Sequence, residues 1–255
     1  MFDGPRNSIQ DYNSAKDVVA FLNFQLFVRT DSFLKRLNFG GSYDYGIQDN
    51  IDQPAVMRTN VNASSIGLND TDPVNNAAVP FLAFNANTRE RGLRQLYDLH
   101  LAYYYGGLSV IGSFGGGIDS YAVNNRRPVP LQVDGYYLAL AYLLTGETLA
   151  ERTVVDPIHR FDLRPGKFGL GAFEPFIRFS NVSISNQVFT SGLADPNLWT
   201  NHVNMTDVGM NWYLNRAIKI YFDWQHAMYG QPVYFRPGGF RPTNDLLWLR
   251  FQFYF

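Results

Sequence analysis

The side chains best suited to metal ligation or proton transfer are four histidines, His100, His159, His202 and His226, and they are scattered along the chain. None stands at ligand spacing from another His, Asp or Glu, so no metal site and no resident cofactor is expected. Asp98 and His100, two residues apart, share one face of an extended segment, as in a hydrolase that adds a serine to such a pair. No local motif sets a serine beside them, so no catalytic residue is assigned and the chain reads as a non-enzyme. Gly115–Gly117 follows a strand-like run but lacks the Lys and Ser/Thr that complete a phosphate loop. It reads as a bend or as relief of crowding.

The remaining polar candidates make sense only through the elements that carry them. In the closing stretch TNDLLWLRFQFYF (Thr243–Phe255), Leu247, Leu249, Phe251, Phe253 and Phe255 fall on one face, and Trp248, Arg250, Gln252 and Tyr254 on the other. That is period 2 with one apolar face, the signature of a half-buried strand. The split recurs over Asp17–Arg29, Leu37–Gln48, Gln95–Tyr105, Leu108–Ser120, Val133–Thr145, Gly169–Ser185, Asn204–Tyr213 and Ala217–Met228, giving nine expected strands. The polar faces then carry Asp98, His100, Glu174, Arg178, Asp207, Asn211, Lys219, Asp223, Gln225, Arg250 and Gln252. In a barrel around water these side chains line the lumen and set selectivity by their charge, without needing partners. Counting their charges, Arg178, Lys219 and Arg250 oppose Asp98, Glu174, Asp207 and Asp223, so this wall is not a basic ladder.

Composition narrows the setting. Aromatics make up 16% of the 255 residues and charged residues 17%, the latter below the roughly 25% of ordinary soluble domains. No run approaches the roughly 20 apolar residues of a membrane-spanning helix. Both facts suit a chain whose greasy residues alternate with polar ones. A net charge of −1 gives nucleic acid no electrostatic hold, and the absence of cysteine is compatible with an oxidising compartment. The N-terminus MFDGPRNSIQ has no basic start and no apolar core of a signal peptide.

The connections separate short turns (Thr30–Arg36, Gly106–Gly107, Leu214–Arg216) from long polar loops (Asp49–Leu93, Tyr121–Gln132, Gln187–Val203, Tyr229–Thr243). Short turns at one end and long loops at the other are the habit of outer-membrane barrels. Gly146–Phe168 breaks the rule, because it belongs to the short-turn end yet runs about 23 residues. The expected fold is therefore all-β, a transmembrane antiparallel β-barrel in the bacterial outer membrane, with residues 1–255 in one barrel region. Single-chain barrels have an even strand count, so nine strands lead to the expectation that N-terminal strands are missing from this chain.

GYYLALAYLLTGE (Gly135–Glu147), GAFEPFIRFS (Gly171–Ser180), VGMNWYLN (Val208–Asn215) and the closing LRFQFYF together resemble the phosphate-selective porin O and P family. The resemblance implies a homotrimer of sixteen-stranded barrels with inward-folded loops, passing small anions or other hydrophilic solutes. It also implies anion selectivity from an arginine ladder and a lysine cluster in the family's N-terminal half, which leaves no binding residue to carry over. Phe255 then stands where the assembly machinery reads a terminal aromatic, and outer-membrane lipid is the solvent of the apolar face. The aromatic pairs Tyr103–Tyr105, Tyr136–Tyr137, Trp212–Tyr213 and Phe253–Phe255 are expected as interfacial girdles. The rival reading is a soluble β-sandwich carbohydrate-binding module, whose apolar strand faces pack against one another.

Overall fold

The computed structural model describes residues 16–50, 53–59, 79–235 and 239–254. In chain order the strands are β1 (Val18–Phe24), β2 (Leu37–Asp49), β3 (Met57–Arg58), β4 (Pro80–Leu82), β5 (Thr88–Tyr105), β6 (Leu108–Val123), β7 (Val129–Tyr142), β8 (Ala172–Ile184), β9 (His202–Asn215), β10 (Ile218–Phe235) and β11 (Gly239–Phe253). Nine of them form one antiparallel sheet in the order β1-β2-β5-β6-β7-β8-β9-β10-β11, while β3 and β4 pair separately inside the β2–β5 connection. The large sheet is a meander of neighbours in sequence, and it is open, with β1 and β11 at its edges.

Turn chemistry fixes the register at the short end. Between Tyr105 and Leu108 the two-residue loop puts Gly106 at φ 56°, the positive φ that such hairpins require at their first central position. Between Asn215 and Ile218 the Asn215 side-chain oxygen accepts from the backbone N–H of Ala217 (2.8 Å) and Ile218 (3.0 Å), an Asx-type closure. Gly117 sits at φ 137°, and a Cβ there would lie 2.0 Å from the Gln95 carbonyl oxygen. The glycine run thus serves close approach within the strand, as expected from its lack of phosphate-loop partners.

Several boundaries differ from the periodicity. β1 ends at Phe24 because the backbone turns, with Thr30 N–H and hydroxyl both donating to the Phe27 carbonyl (3.0 and 2.8 Å). The described part of Tyr229–Thr243 is strand rather than loop; after an irregularity following Met228, Val233–Phe235 pair with Gly239–Arg241. Tyr121–Gln132 shortens likewise, because β6 and β7 pair as far as Tyr121–Val129. β5 starts at Thr88 rather than Gln95, extending the hairpin past a second irregularity between Glu90 and Arg94.

Cross-strand partners share a face, so the register assigns both faces of the sheet. One row runs Ala139, Arg178, Asp207, Gln225, Leu246; another runs Ser42, Asp98, Gly115, Gly135, Val182, Val203. The opposite face is apolar and open. Leu22, Leu99, Leu138, Phe179, Phe222, Leu249 and Phe251 all project from it exposed, and Leu247 is 69% exposed. Among strand residues outside the irregular β10–β11 tip, the large exposed apolar side chains off this face are Val19, Phe21 and Tyr137. A sandwich would bury that apolar face against a second sheet, and the described residues place no second sheet on it, only contacts near the turn end such as Phe161 edge-on to Trp212.

Burial is instead concentrated at the two ends of the polar face. At the long-loop end, Phe81, Leu82, Phe84, Val188 and Leu193 pack on Tyr121, Leu131, Ile184, Val203 and Ala227. Backbone bonds from Asn85 to Leu193 (2.7 Å) and from Thr200 to Phe81 (2.9 Å) tie the two loops together. At the turn end, Leu149 and Val155 of the β7–β8 connection cover Tyr104, Ala172 and Tyr213. The unusual length of Gly146–Phe168 therefore has a structural use: its first part, through Val155, folds across the polar face.

Candidate pore wall

All the polar residues singled out from the sequence project from one face: Asp98 and His100 on β5, Glu174 and Arg178 on β8, Asp207 and Asn211 on β9, Lys219, Asp223 and Gln225 on β10, and Arg250 and Gln252 on β11. They do not hang separately in water. Arg178 donates Nε to Asp207 Oδ2 (3.1 Å) and Nη2 to Oδ1 (2.9 Å), and Gln225 donates to the same Oδ1 (2.9 Å). Next to them Tyr221 donates to Asp223 at 2.7 Å. Paired carboxylates within a sheet face satisfy buried acceptors that water does not reach.

Glu174 is the extreme case, fully buried at 0% exposure. It accepts from Arg152 Nη1 (2.6 Å) and Nη2 (3.3 Å), Asn211 Nδ2 (2.8 Å) and the Tyr213 hydroxyl (2.7 Å). Arg152 belongs to the β7–β8 connection, so this bidentate pair pins the connection to the wall. Burial works against the guanidinium, but the hydrogen bond and charge of Glu174 outweigh it and hold the Arg152 pKa above its ordinary value. Farther out on the same connection, the Arg164 guanidinium holds the Asp162 carboxyl at about 2.

A third network lies on β2 and β5. Arg94, almost wholly buried, binds Asp17 Oδ2 (3.0 Å), Glu90 and, more loosely, Asp119 (3.8 Å). Gln48 donates to both Asp17 oxygens (2.6 and 2.7 Å), and Asn50 to Glu90 (2.9 Å). A strand expected from Gln95 stops one residue short of Arg94, which belongs to β5. Carrying the Asp98 parity back by two steps finds it. Arg152 had no periodic signal at all, and only the excess length of its connection marked it.

The Asp98–His100 pair does acquire a serine, in the wrong order. The Ser113 hydroxyl donates to Asp98, while His100 meets Asp98 at 3.5 Å and Asn23 at 3.2 Å and stacks on Phe21 at 5.4 Å. The hydroxyl's partner is therefore the carboxylate rather than the imidazole, so these three residues lack the serine–histidine contact of a triad. Among the described residues no group of three His, Cys, Asp or Glu is arranged to hold a metal.

The aromatic pairs divide between faces. Tyr103, Tyr105, Tyr136, Trp212 and Phe253 project from the apolar face, whereas Tyr104 and Tyr213 are buried on the polar one and Tyr137 stands there half-exposed. Adjacent residues of a strand cannot share a face, so Tyr136–Tyr137 and Trp212–Tyr213 can each give one ring to a girdle, whereas Tyr103 and Tyr105 can both join. Phe255 lies outside the described residues.

These features match known proteins in one direction. Over 91 residues the chain is 32% identical to Porin O of Pseudomonas aeruginosa, a stretch covering 35% of this chain and 20% of that protein. The family model described as Phosphate-selective porin O and P matches residues 39–255. With nearly the whole open sheet inside that match, the chain belongs to the phosphate-selective porin O and P family.

Proposed function

We propose that this chain forms part of the wall of a water-filled channel in the bacterial outer membrane, through which small hydrophilic solutes, anions among them, diffuse passively. One observation carries the reading: a single nine-stranded meander keeps an exposed apolar face on one side and a networked polar face on the other. Lipid is the solvent that suits the first, and a wet lumen suits the second. On this reading Asp98, His100, Arg178, Lys219, Arg250 and Gln252 line the pore while the buried Glu174, Asp207, Asn211, Asp223 and Gln225 brace its wall, the last strand up to Phe255 is what the assembly machinery recognises, and the assembly is a homotrimer. The edges β1 and β11 each need a partner in lipid, so strands beyond these nine close the barrel.

Family membership favours a channel over an enzyme. The polar face of the described strands is not a basic ladder, since Arg178 and Arg94 are tied up with carboxylates. Any strong preference for phosphate has to come from cations elsewhere in the lumen. Protein purified from the outer membrane into detergent and added to a planar bilayer is expected to give stepwise, ohmic conductance. Protein that stays monodisperse without detergent and leaves bilayers unchanged contradicts the proposal.

A further inference from the structure

Past Val155 the β7–β8 connection turns away from the polar face and ends in a small hairpin. Its sequence from Arg160 to Gly171, RFDLRPGKFGLG, alternates on both arms, with Phe161, Leu163, Phe168 and Leu170 stepping past Arg160, Asp162, Arg164 and Lys167. Asp162 and Gly169 exchange two backbone hydrogen bonds of 2.9 Å, a pairing that sets Phe161 and Leu163 on the same side as Leu170 and Phe168. That side is apolar and open, with Leu163 65% and Phe168 68% exposed. The other side carries charge. Arg160 and Arg164 are held by Asp156 (2.9 Å) and Asp162 (2.6 Å), and among the described residues Lys167 has no carboxylate partner.

The hairpin's apolar side continues the open apolar face of the sheet. Phe161 meets the Trp212 ring edge-on at 5.5 Å, and Trp212 donates Nε1 to the Leu170 carbonyl (2.6 Å) and stacks on Phe173 at 5.6 Å. An indole of this kind, apolar in body and polar at one edge, settles at headgroup level in a membrane. Backbone that borders lipid has to be satisfied by the protein itself. Here the N–H groups of Phe161, Asp162, Gly169 and Gly171 donate to the carbonyls of Leu214, Gly169, Asp162 and His159 at 2.8–2.9 Å. Apolar side chains on one side and an ammonium on the other are the pattern of elements that lie in the membrane interface, the apolar side about 5–10 Å into the headgroup–acyl boundary.

We propose that the Arg160–Gly171 hairpin is an interfacial anchor: Phe161, Leu163, Phe168 and Leu170 enter the phospholipid leaflet that borders the short-turn end, and Lys167 meets a headgroup phosphate. The inference rests on the channel reading for placing the sheet in lipid. With Arg152 bound to Glu174 on the polar face, the connection is then gripped on both sides of the barrel rim.

The test uses the whole protein in vesicles of phosphatidylethanolamine and phosphatidylglycerol, with Leu163→Cys, Phe168→Cys, Lys167→Cys and Leu249→Cys each carrying one fluorophore. Some vesicles include phospholipid with a nitroxide on a shallow acyl carbon, which quenches labels at that depth. Labels at 163 and 168 are expected to be quenched at least about twofold more strongly than the label at 167. Equal quenching at the three positions overturns the proposal. So do labels at 163 and 168 shielded from both the lipid nitroxide and aqueous iodide, because a second protein surface then covers the patch. Leu163 and Phe168 are exposed, and either position decides alone if the other variant fails to fold. Leu249, on the apolar face of β11, separates the two readings: quenching at 249 with none at 163 and 168 refutes the anchor alone, and none at 249 refutes the placement of the sheet in lipid.

Discussion

Replacing Arg152 by Met leaves a carboxylate with 0% exposure short of its counter-ion and of two of its four hydrogen bonds. Removing one partner of a buried pair costs about 3–5 kcal/mol. Arg152 itself is 42% exposed, so water replaces part of what it supplied, and the expected loss falls to about 2 kcal/mol. Glu174→Gln is milder, about 1 kcal/mol, because the freed guanidinium can turn to water while Asn211 and Tyr213 still have an amide oxygen to address. The double variant should then be less damaged than the sum, with a coupling of about 1–2 kcal/mol. Equilibrium unfolding of the reconstituted protein in guanidinium chloride, followed by fluorescence of its four tryptophans, measures all four corners of the cycle. A loss under about 0.5 kcal/mol for Arg152→Met, together with no coupling, would show that the connection is not pinned to the wall by this pair.

Three further outcomes follow from the faces and the loop charges. Leu249→Glu, in the middle of the apolar face of β11, should reduce membrane stability by about 2 kcal/mol, whereas Gln252→Glu on the polar face should stay within about 0.5 kcal/mol; equal losses in the same unfolding assay refute the face assignment. Arg250→Glu, on the polar face opposite Tyr221, should shift the reversal potential of the assembled pore toward cation selectivity, and an unchanged potential with normal assembly excludes Arg250 from the conducting path. Asp162, held at about 2 against an ordinary 3.8 by the hydrogen bonds and charge of Arg164, has a lowered folded-state pKa. Its contribution is therefore complete above 3.8 and is lost as pH falls through 2. Carbon NMR of that carboxyl should give a midpoint near 2, and a midpoint near 3.8 removes the Arg164 contact from solution.

Strands were legible because period 2 is a local property: Leu247, Leu249, Phe251 and Phe253 announce a face without reference to anything distant. The same locality hid the rest. Val233 and Arg241 pair only because an irregularity resets the ladder after Met228, and a frame shift in pairing leaves no mark in the alternation. Alternation alone presents the polar face as separate side chains in water, yet Asp207 and Glu174 are buried among donors from neighbouring strands and from a loop. Those partners are set by register and by the path of the β7–β8 connection, neither of which a single segment encodes. The caps of apolar residues at both ends were missed for the same reason, since Phe81 and Leu149 sit in stretches without periodicity.

The central claim is that one face of this sheet meets lipid and the other meets water, and the chain's lack of cysteine makes a clean test available. Single cysteines introduced in turn from Leu246 to Phe253, spin-labelled in the reconstituted protein, report collisions with oxygen, which concentrates in lipid, and with a polar nickel chelate, which stays in water. Labels at positions 247, 249, 251 and 253 should favour oxygen and those at 246, 248, 250 and 252 the chelate, alternating with period 2 along β11. Accessibility to the chelate at every position, or a profile with no alternation, would contradict the account.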